Sequence, residues 1–192
     1  MKELEDRIRA EGKALNEDVL RVDMFLNHQV DCRLMDRIGA EFARLFQEDG
    51  ITRVVTIEAS GIAPAAMTAL KMNVPMVILK KSASVTLNSS VLQTEVYSFT
   101  KQNTYQLTLK GEYIRPGDRV LLIDDFLANG EAAFGASRLI EKAGAKVAGI
   151  GAVICKAFQP GLEKLRNAGY KVEALAEITA MGEGFVRFAG EN

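Results

Sequence analysis

The sequence predicts an α/β fold: a mainly parallel sheet flanked by helices. Three observations lead there. Short apolar runs alternate with stretches of helical spacing, each run stops on polar or charged residues, and turn residues separate the two kinds of segment. At 192 residues and 48% hydrophobic side chains, the chain has material for one sizeable core. A single domain over residues 1–192 is expected.

The elements follow in order. Leu34, Met35, Ile38, Phe42, Leu45 and Phe46 recur at helical spacing between Asp31, a plausible N-cap, and Gly50, a plausible stop. Residues 52–57 form a β-branched run that ends at Glu58-Ala59-Ser60-Gly61, ahead of a helical stretch over residues 63–72. A second run, Pro75-Met76-Val77-Ile78-Leu79, stops at Lys80-Lys81, and a third, Arg119-Val120-Leu121-Leu122-Ile123, stops at Asp124-Asp125. After Phe126-Leu127-Ala128-Asn129-Gly130 comes a helix through Ala143, capped at Gly144; a fourth run over residues 146–154 leads to Lys156. Between Ser82 and Tyr113 the pattern changes. Thr94-Glu95-Val96-Tyr97-Ser98-Phe99-Thr100 alternates, residues 101–104 read as a polar turn, and Gln106-Leu107-Thr108-Leu109 follows, which predicts an antiparallel hairpin. A long polar insertion between buried strands suits a lid. No internal repeat or linker interrupts the chain.

Composition narrows the partners. With 24 Lys and Arg against 25 Asp and Glu, the net charge is −1, so bulk attraction to nucleic acid or anionic lipid is not expected. Cys32 and Cys155 lack the spacing of a zinc site or disulfide framework and read as reduced thiols. Without an apolar signal core near the N-terminus or a run of about 18 apolar residues, a soluble, cytoplasmic protein with no membrane partner is expected.

The chemistry concentrates in residues 120–132. An apolar strand delivers two adjacent carboxylates, Asp124 and Asp125; strand neighbours point to opposite faces, so at least one is available to accept hydrogen bonds from a vicinal diol such as that of ribose. The Ala128-Asn129-Gly130 turn then opens a helix, whose N-terminal amides and dipole favour a phosphate. Taken alone, a strand with two acids also fits a magnesium site or a structural ion pair.

With strand, acids, loop and helix together, the chain resembles the type I phosphoribosyltransferase family, whose signature binds phosphoribosyl pyrophosphate (PRPP). It has Asn129-Gly130 where the family most often has Thr-Gly, and Ala128 where the hypoxanthine-guanine enzymes have an acid, so that acid's role does not transfer. Among purine members it is most similar to the xanthine-specific ones, through Val22-Asp23-Met24-Phe25-Leu26-Asn27-His28-Gln29 and Tyr97-Ser98-Phe99-Thr100-Lys101-Gln102.

The resemblance implies a hairpin lid, a small N-terminal base-binding hood and a homodimer. It implies that Leu20, Asn27 and Lys156 meet xanthine, that Ala128, Asn129, Gly130, Glu131 and Ala132 meet PRPP, and that the turn with Ser60 and Gly61 meets pyrophosphate. The reaction expected is transfer of phosphoribose to N9 of xanthine, with Mg²⁺ arriving on PRPP and Asp124 and Asp125 holding the sugar. Guanine or hypoxanthine as the base, and a non-catalytic PRPP-sensing regulator of nucleic acid, are the alternatives.

Physical reasoning supports part of this set. Lys156, a donor-only ammonium, suits a 6-oxo group and opposes the amino group of adenine. Asn27 offers both a donor and an acceptor for the far edge of the base. Ser60 alone also reads as an ordinary N-cap, Lys80-Lys81 as positive charge near the leaving group or simply as solvated lysines, Phe126 and Phe158 as rings that stack on the purine or as core fillers, and the solitary His28 as a packing or hydrogen-bonding residue. No protein-built metal site is expected.

Overall fold

A computed structural model describes residues 1–82, 91–98 and 102–191. Phe99, Thr100 and Lys101 of the expected hairpin lie outside the described residues. Helix α1 (Lys2–Glu11) buries Leu4 and Ile8. A two-stranded ribbon of β1 (Lys13–Ala14) and β2 (Leu20–Arg21) follows, then a π-helical turn over Asp23–Asn27. Helix α2 (Cys32–Leu45) starts where expected, because the Asp31 carboxylate accepts from the amides of Arg33 and Leu34 at 3.0 and 3.1 Å. A short 3₁₀ turn extends it to Gly50, whose φ of 59° ends the segment.

The main sheet contains β3 (Arg53–Ile57), β4 (Met76–Leu79), β7 (Arg119–Leu127), β8 (Lys146–Lys156), β9 (Val172–Gly182) and β10 (Phe185–Phe188). Their order is β4-β3-β7-β8-β9-β10, parallel throughout except for β10. Helices α3 (Ile62–Met72), α4 (Glu131–Lys142) and α5 (Gly161–Asn167) complete the crossovers. The hairpin of β5 (Val91–Ser98) and β6 (Asn103–Lys110) is antiparallel, as its alternation predicts. Val96 packs on α4, where a Cβ at Gly135 would fall 2.4 Å from its Cγ2.

Strand alternation divides the core into two layers. Leu121 and Ile123 face α1, α2 and α3, whereas Val120 and Leu122 face α4, α5 and the hairpin. Two glycines of β8 set how closely α2 lies on the sheet. A Cβ at Gly149 would sit 2.4 Å from the Phe46 ring, and one at Gly151 would sit 2.6 Å from Ile123 and 2.7 Å from the Phe42 ring. Those rings are fully buried, so they have little room to retreat. Gly151→Val should therefore cost about 1–3 kcal/mol or more. Urea unfolding would measure that loss; unchanged stability would show that the helix moves away freely.

Candidate active site

The sheet opens a crevice at its carboxyl end. β3 pairs with β7 only as far as Thr56↔Ile123, while β7 continues to Leu127 with β8 as its partner. Crossovers leave this point in opposite directions, toward β4 on one side and toward β8 and β9 on the other, which is where open α/β sheets bind ligands. A cavity of about 430 Å³ occupies the crevice. Asp124 and Asp125 line it together with residues 126–133, and Lys81, Tyr97 and Tyr105 close it from the hairpin side.

The strand does not stop at the acids, as its apolar run suggested, but carries both of them. Nor do the two side chains simply diverge. Ile123 and Phe126 pack in the same layer while Leu127 packs in the other, so alternation slips by one residue at the carboxylates. β8 slips at the same level, with Val153 and Ile154 in one layer and Cys155 in the other. Both acids thereby reach one cavity, and the Asp125 amide donates to Asp124 Oδ1 at 3.0 Å.

Electrostatics follow from this crowding. Burial, and next the neighbouring Asp125 charge, push the Asp124 carboxyl well above the ordinary Asp range; Lys81 opposes them more weakly. Burial and then Asp124 also raise the Tyr105 phenol. The Lys80-Lys81 pair divides its work. Glu58 takes Lys80 Nζ at 3.0 Å and accepts from the Lys81 amide at 2.6 Å, while Lys81 lines the cavity with Nζ 5.5 Å from the centre of the Tyr105 ring. That hydrogen bond from Lys80 is the largest cause holding Glu58 below the usual carboxylate range.

The loop after the acids is shaped by close backbone contact. Gly130 adopts a φ of 87°, which a side chain would strain, and hands the chain to α4. Behind it, the Gly161 amide donates to the Ala128 carbonyl at 2.9 Å. A Cβ on Gly161 would fall 2.2 Å from that same carbonyl oxygen, so two backbones touch here with no space for a side chain. The first amides of α4 have no acceptor within the helix, and residues 131–133 at that end line the cavity.

The other expected site residues are placed less directly. Lys156 ends β8 beside the cavity, its Nζ 5.6 Å from the centre of the Phe126 ring and donating to the Asp18 carbonyl. Leu20 is buried in the ribbon next to that loop, and Asn27 is exposed at the end of the π-helical turn. Neither they nor Lys156 line the cavity. Ser60 is not the N-cap of α3: Gly61 holds that position, with no side-chain cap. A Cβ at Gly61 would lie 3.3 Å from Asp124 Oδ1, so the turn runs close to that carboxylate, although neither Ser60 nor Gly61 lines the cavity. His28 is exposed rather than packed. The sequence offered Lys80 and Lys81 only as a pair; that Lys81 rather than Lys80 lines the cavity, and that Tyr105 joins it, gave no signal, since isolated polar residues in a hairpin and at a strand end have no period.

Among the described residues, no three His, Cys, Asp or Glu side chains group as a metal site, and no helix is long and apolar enough to cross a membrane.

Comparison with known proteins places this geometry. The family model described as phosphoribosyl transferase domain matches residues 26–176. The chain belongs to the phosphoribosyltransferase family. Similar relatives are a protein named xanthine phosphoribosyltransferase 1 from Clostridium botulinum, 58% identical over 98% of this chain and 99% of that one, and xanthine phosphoribosyltransferases from Exiguobacterium (54%, covering 98% and 97%) and Bacillus thuringiensis (55%, covering 98% and 95%). Among solved structures, this phosphoribosyltransferase fold superimposes on the adenine phosphoribosyltransferase of Giardia lamblia complexed with 9-deazaadenine, with a TM-score of 0.76, 22% identity and coverage of 91% and 97%. The Trypanosoma brucei adenine enzyme gives a TM-score of 0.74 at 19% identity, covering 91% and 79%. The α/β sheet and hairpin expected from sequence are those of the family.

The carboxylate crowding has a measurable signature. Asp124 is held above its ordinary value of 3.8 in the folded protein, so the stability tied to its protonation is fully present below that pH and is lost as pH rises through the folded value. Asp124→Asn removes this dependence. Its unfolding free energy relative to wild type should climb as pH is raised from about 4 to about 8 in urea titrations; a difference that stays flat or falls would contradict the assignment.

Proposed function

We propose that the protein transfers the 5-phosphoribosyl group of PRPP to N9 of xanthine, giving xanthosine 5′-monophosphate and pyrophosphate. The observation that carries this reading is the meeting, in one cavity, of the Asp124-Asp125 pair with the loop and first helical turn of residues 128–132. The similarity to xanthine phosphoribosyltransferases supports the choice of base.

Asp124 and Asp125 accept the ribose hydroxyls, and the amides of Ala128, Asn129, Gly130, Glu131 and Ala132 receive the 5′-phosphate. As the C1′–O bond to pyrophosphate breaks and the N9–C1′ bond forms, with the N9 proton passing to water, positive charge grows on the ribose; the carboxylates steady it while holding the sugar in line. The turn with Ser60 and Gly61, close to Asp124, offers backbone amides to the leaving pyrophosphate. Leu20, Asn27 and Lys156 receive the base, with Lys156 donating to an oxo group.

Mg²⁺ fits as a passenger of PRPP. Two neighbouring carboxylates that burden each other electrostatically are suited to share a cation, but with no third ligand grouped among the described residues they do not form a cage. Asp124 and Asp125 are the donors in reach, and the ion would supply positive charge against the leaving pyrophosphate.

The test is nucleotide formation from PRPP and Mg²⁺ with xanthine, guanine, hypoxanthine and adenine in turn. Xanthine should give the highest kcat/KM and adenine none measurable. Asp125→Asn should keep its melting temperature and lose about 10²–10³-fold in kcat. A faster reaction with guanine or hypoxanthine would overturn the base, and full activity of the Asn variant would overturn the site.

A further inference from the structure

Lys156 is an awkward residue on which to rest base recognition. Its ammonium is a compact charge on a stem with four rotatable carbons, and fixing it in one place costs rotamer entropy. Burial also works against its charge, drawing its pKa down, while Asp18 is the group that draws it back up. Something must therefore hold the ammonium where a base would meet it.

The loop between β1 and β2 is arranged for that task. The Asn16 carboxamide oxygen accepts from the amides of Asp18 and Val19, both at 2.8 Å, and the Leu15 amide donates to the Val19 carbonyl at 2.9 Å. These bonds fix the backbone of Asp18, whose carbonyl accepts from Lys156 Nζ. The side chain of Asp18 is tied independently, since Gln159 Nε2 donates to its carboxylate at 3.3 Å. Gln159 is itself fixed to the end of β8, its amide donating to the Lys156 carbonyl at 2.9 Å. The ring of Asp18, Lys156 and Gln159 thus ties the N-terminal ribbon to the strand end 138 residues later. An ammonium has three donors; one is spent on Asp18, and the rest stay available beside Phe126, whose ring lines the cavity.

We propose that Asp18 and Gln159 are positioning residues for base recognition: Gln159 clamps the Asp18 carboxylate, and the Asp18 carbonyl aims the Lys156 ammonium at the 6-oxo group of the purine. The inference rests on the reading above that Lys156 meets the base. It makes the hood loop a determinant of base affinity with no hold on the phosphoribosyl donor, which binds in the cavity lined by Asp124, Asp125 and residues 128–132.

The test exchanges the two partners. Gln159→Glu sets a carboxylate against Asp18 and breaks the clamp; adding Asp18→Asn restores one hydrogen bond with donor and acceptor reversed, since the new carboxamide donates to the new carboxylate. The single variant should raise KM for xanthine about tenfold and leave KM for PRPP within about twofold, and the double variant should return KM for xanthine to within about threefold of wild type. Lys156→Met, measured alongside, separates the two levels of the argument. If it abolishes xanthine saturation while Gln159→Glu changes nothing, or changes KM for both substrates alike, or is not rescued, the positioning role is wrong and the base contact stands. If Lys156→Met leaves KM for xanthine unchanged, the base contact fails and the positioning role with it. Melting temperatures of all variants check that each is folded.

Discussion

Asp124 and Asp125 sit side by side where β7 outruns β3, and the repulsion between them shapes the rest of the site. In a regular strand, neighbours are sent to opposite layers, which separates their charges. Here the alternation slips in β7 and β8 together, both acids reach the same cavity, and Asp124 is pushed toward its protonated form. Such a pair draws in hydrogen-bond donors and positive charge. In the proposed reaction a ribose diol would supply the first and a cation on pyrophosphate the second, while Lys81 provides a weaker share of positive charge from the protein. The free energy that crowding withholds from the folded chain is thus available to favour the ligand.

Backbone contact accounts for the other half of the site. The loop proposed to take the phosphate owes its form less to its own side chains than to Gly161, thirty or so positions downstream, whose missing Cβ lets α5 press against Ala128 and Gly130. With the loop supported from behind, its amides are fixed before any phosphate arrives, and a preorganised site spends less of its binding energy on ordering. The proposed base side is assembled differently, from a short N-terminal ribbon bound to the end of β8 through side chains.

Legibility in the sequence followed the physics of each part. The core strands announced themselves because parallel strands buried on both faces are continuously apolar, and α2 because its stripe and its Asp31 cap are both local signals. The acids and the loop were legible for the same reason: their chemistry lies in consecutive residues. What depends on distant segments was not. α1 buries only two residues; β1 and β2 are two residues each, too short for any period; β9 mixes glutamates with alanines; and none of these stood out. Ser60 looked like a cap, but the chain turns one residue later. Lys80 and Lys81 were indistinguishable until Glu58 was seen to hold one side chain and leave the other at the cavity.

The most direct measurement is a crystal structure of the protein with Mg²⁺ and PRPP. A ribose whose hydroxyls lie within hydrogen-bonding distance of the Asp124 and Asp125 carboxylates, with its 5′-phosphate on the amides of residues 128–132, is the result expected. A sugar bound at any other place, with the two carboxylates untouched, would contradict the assignment at its root.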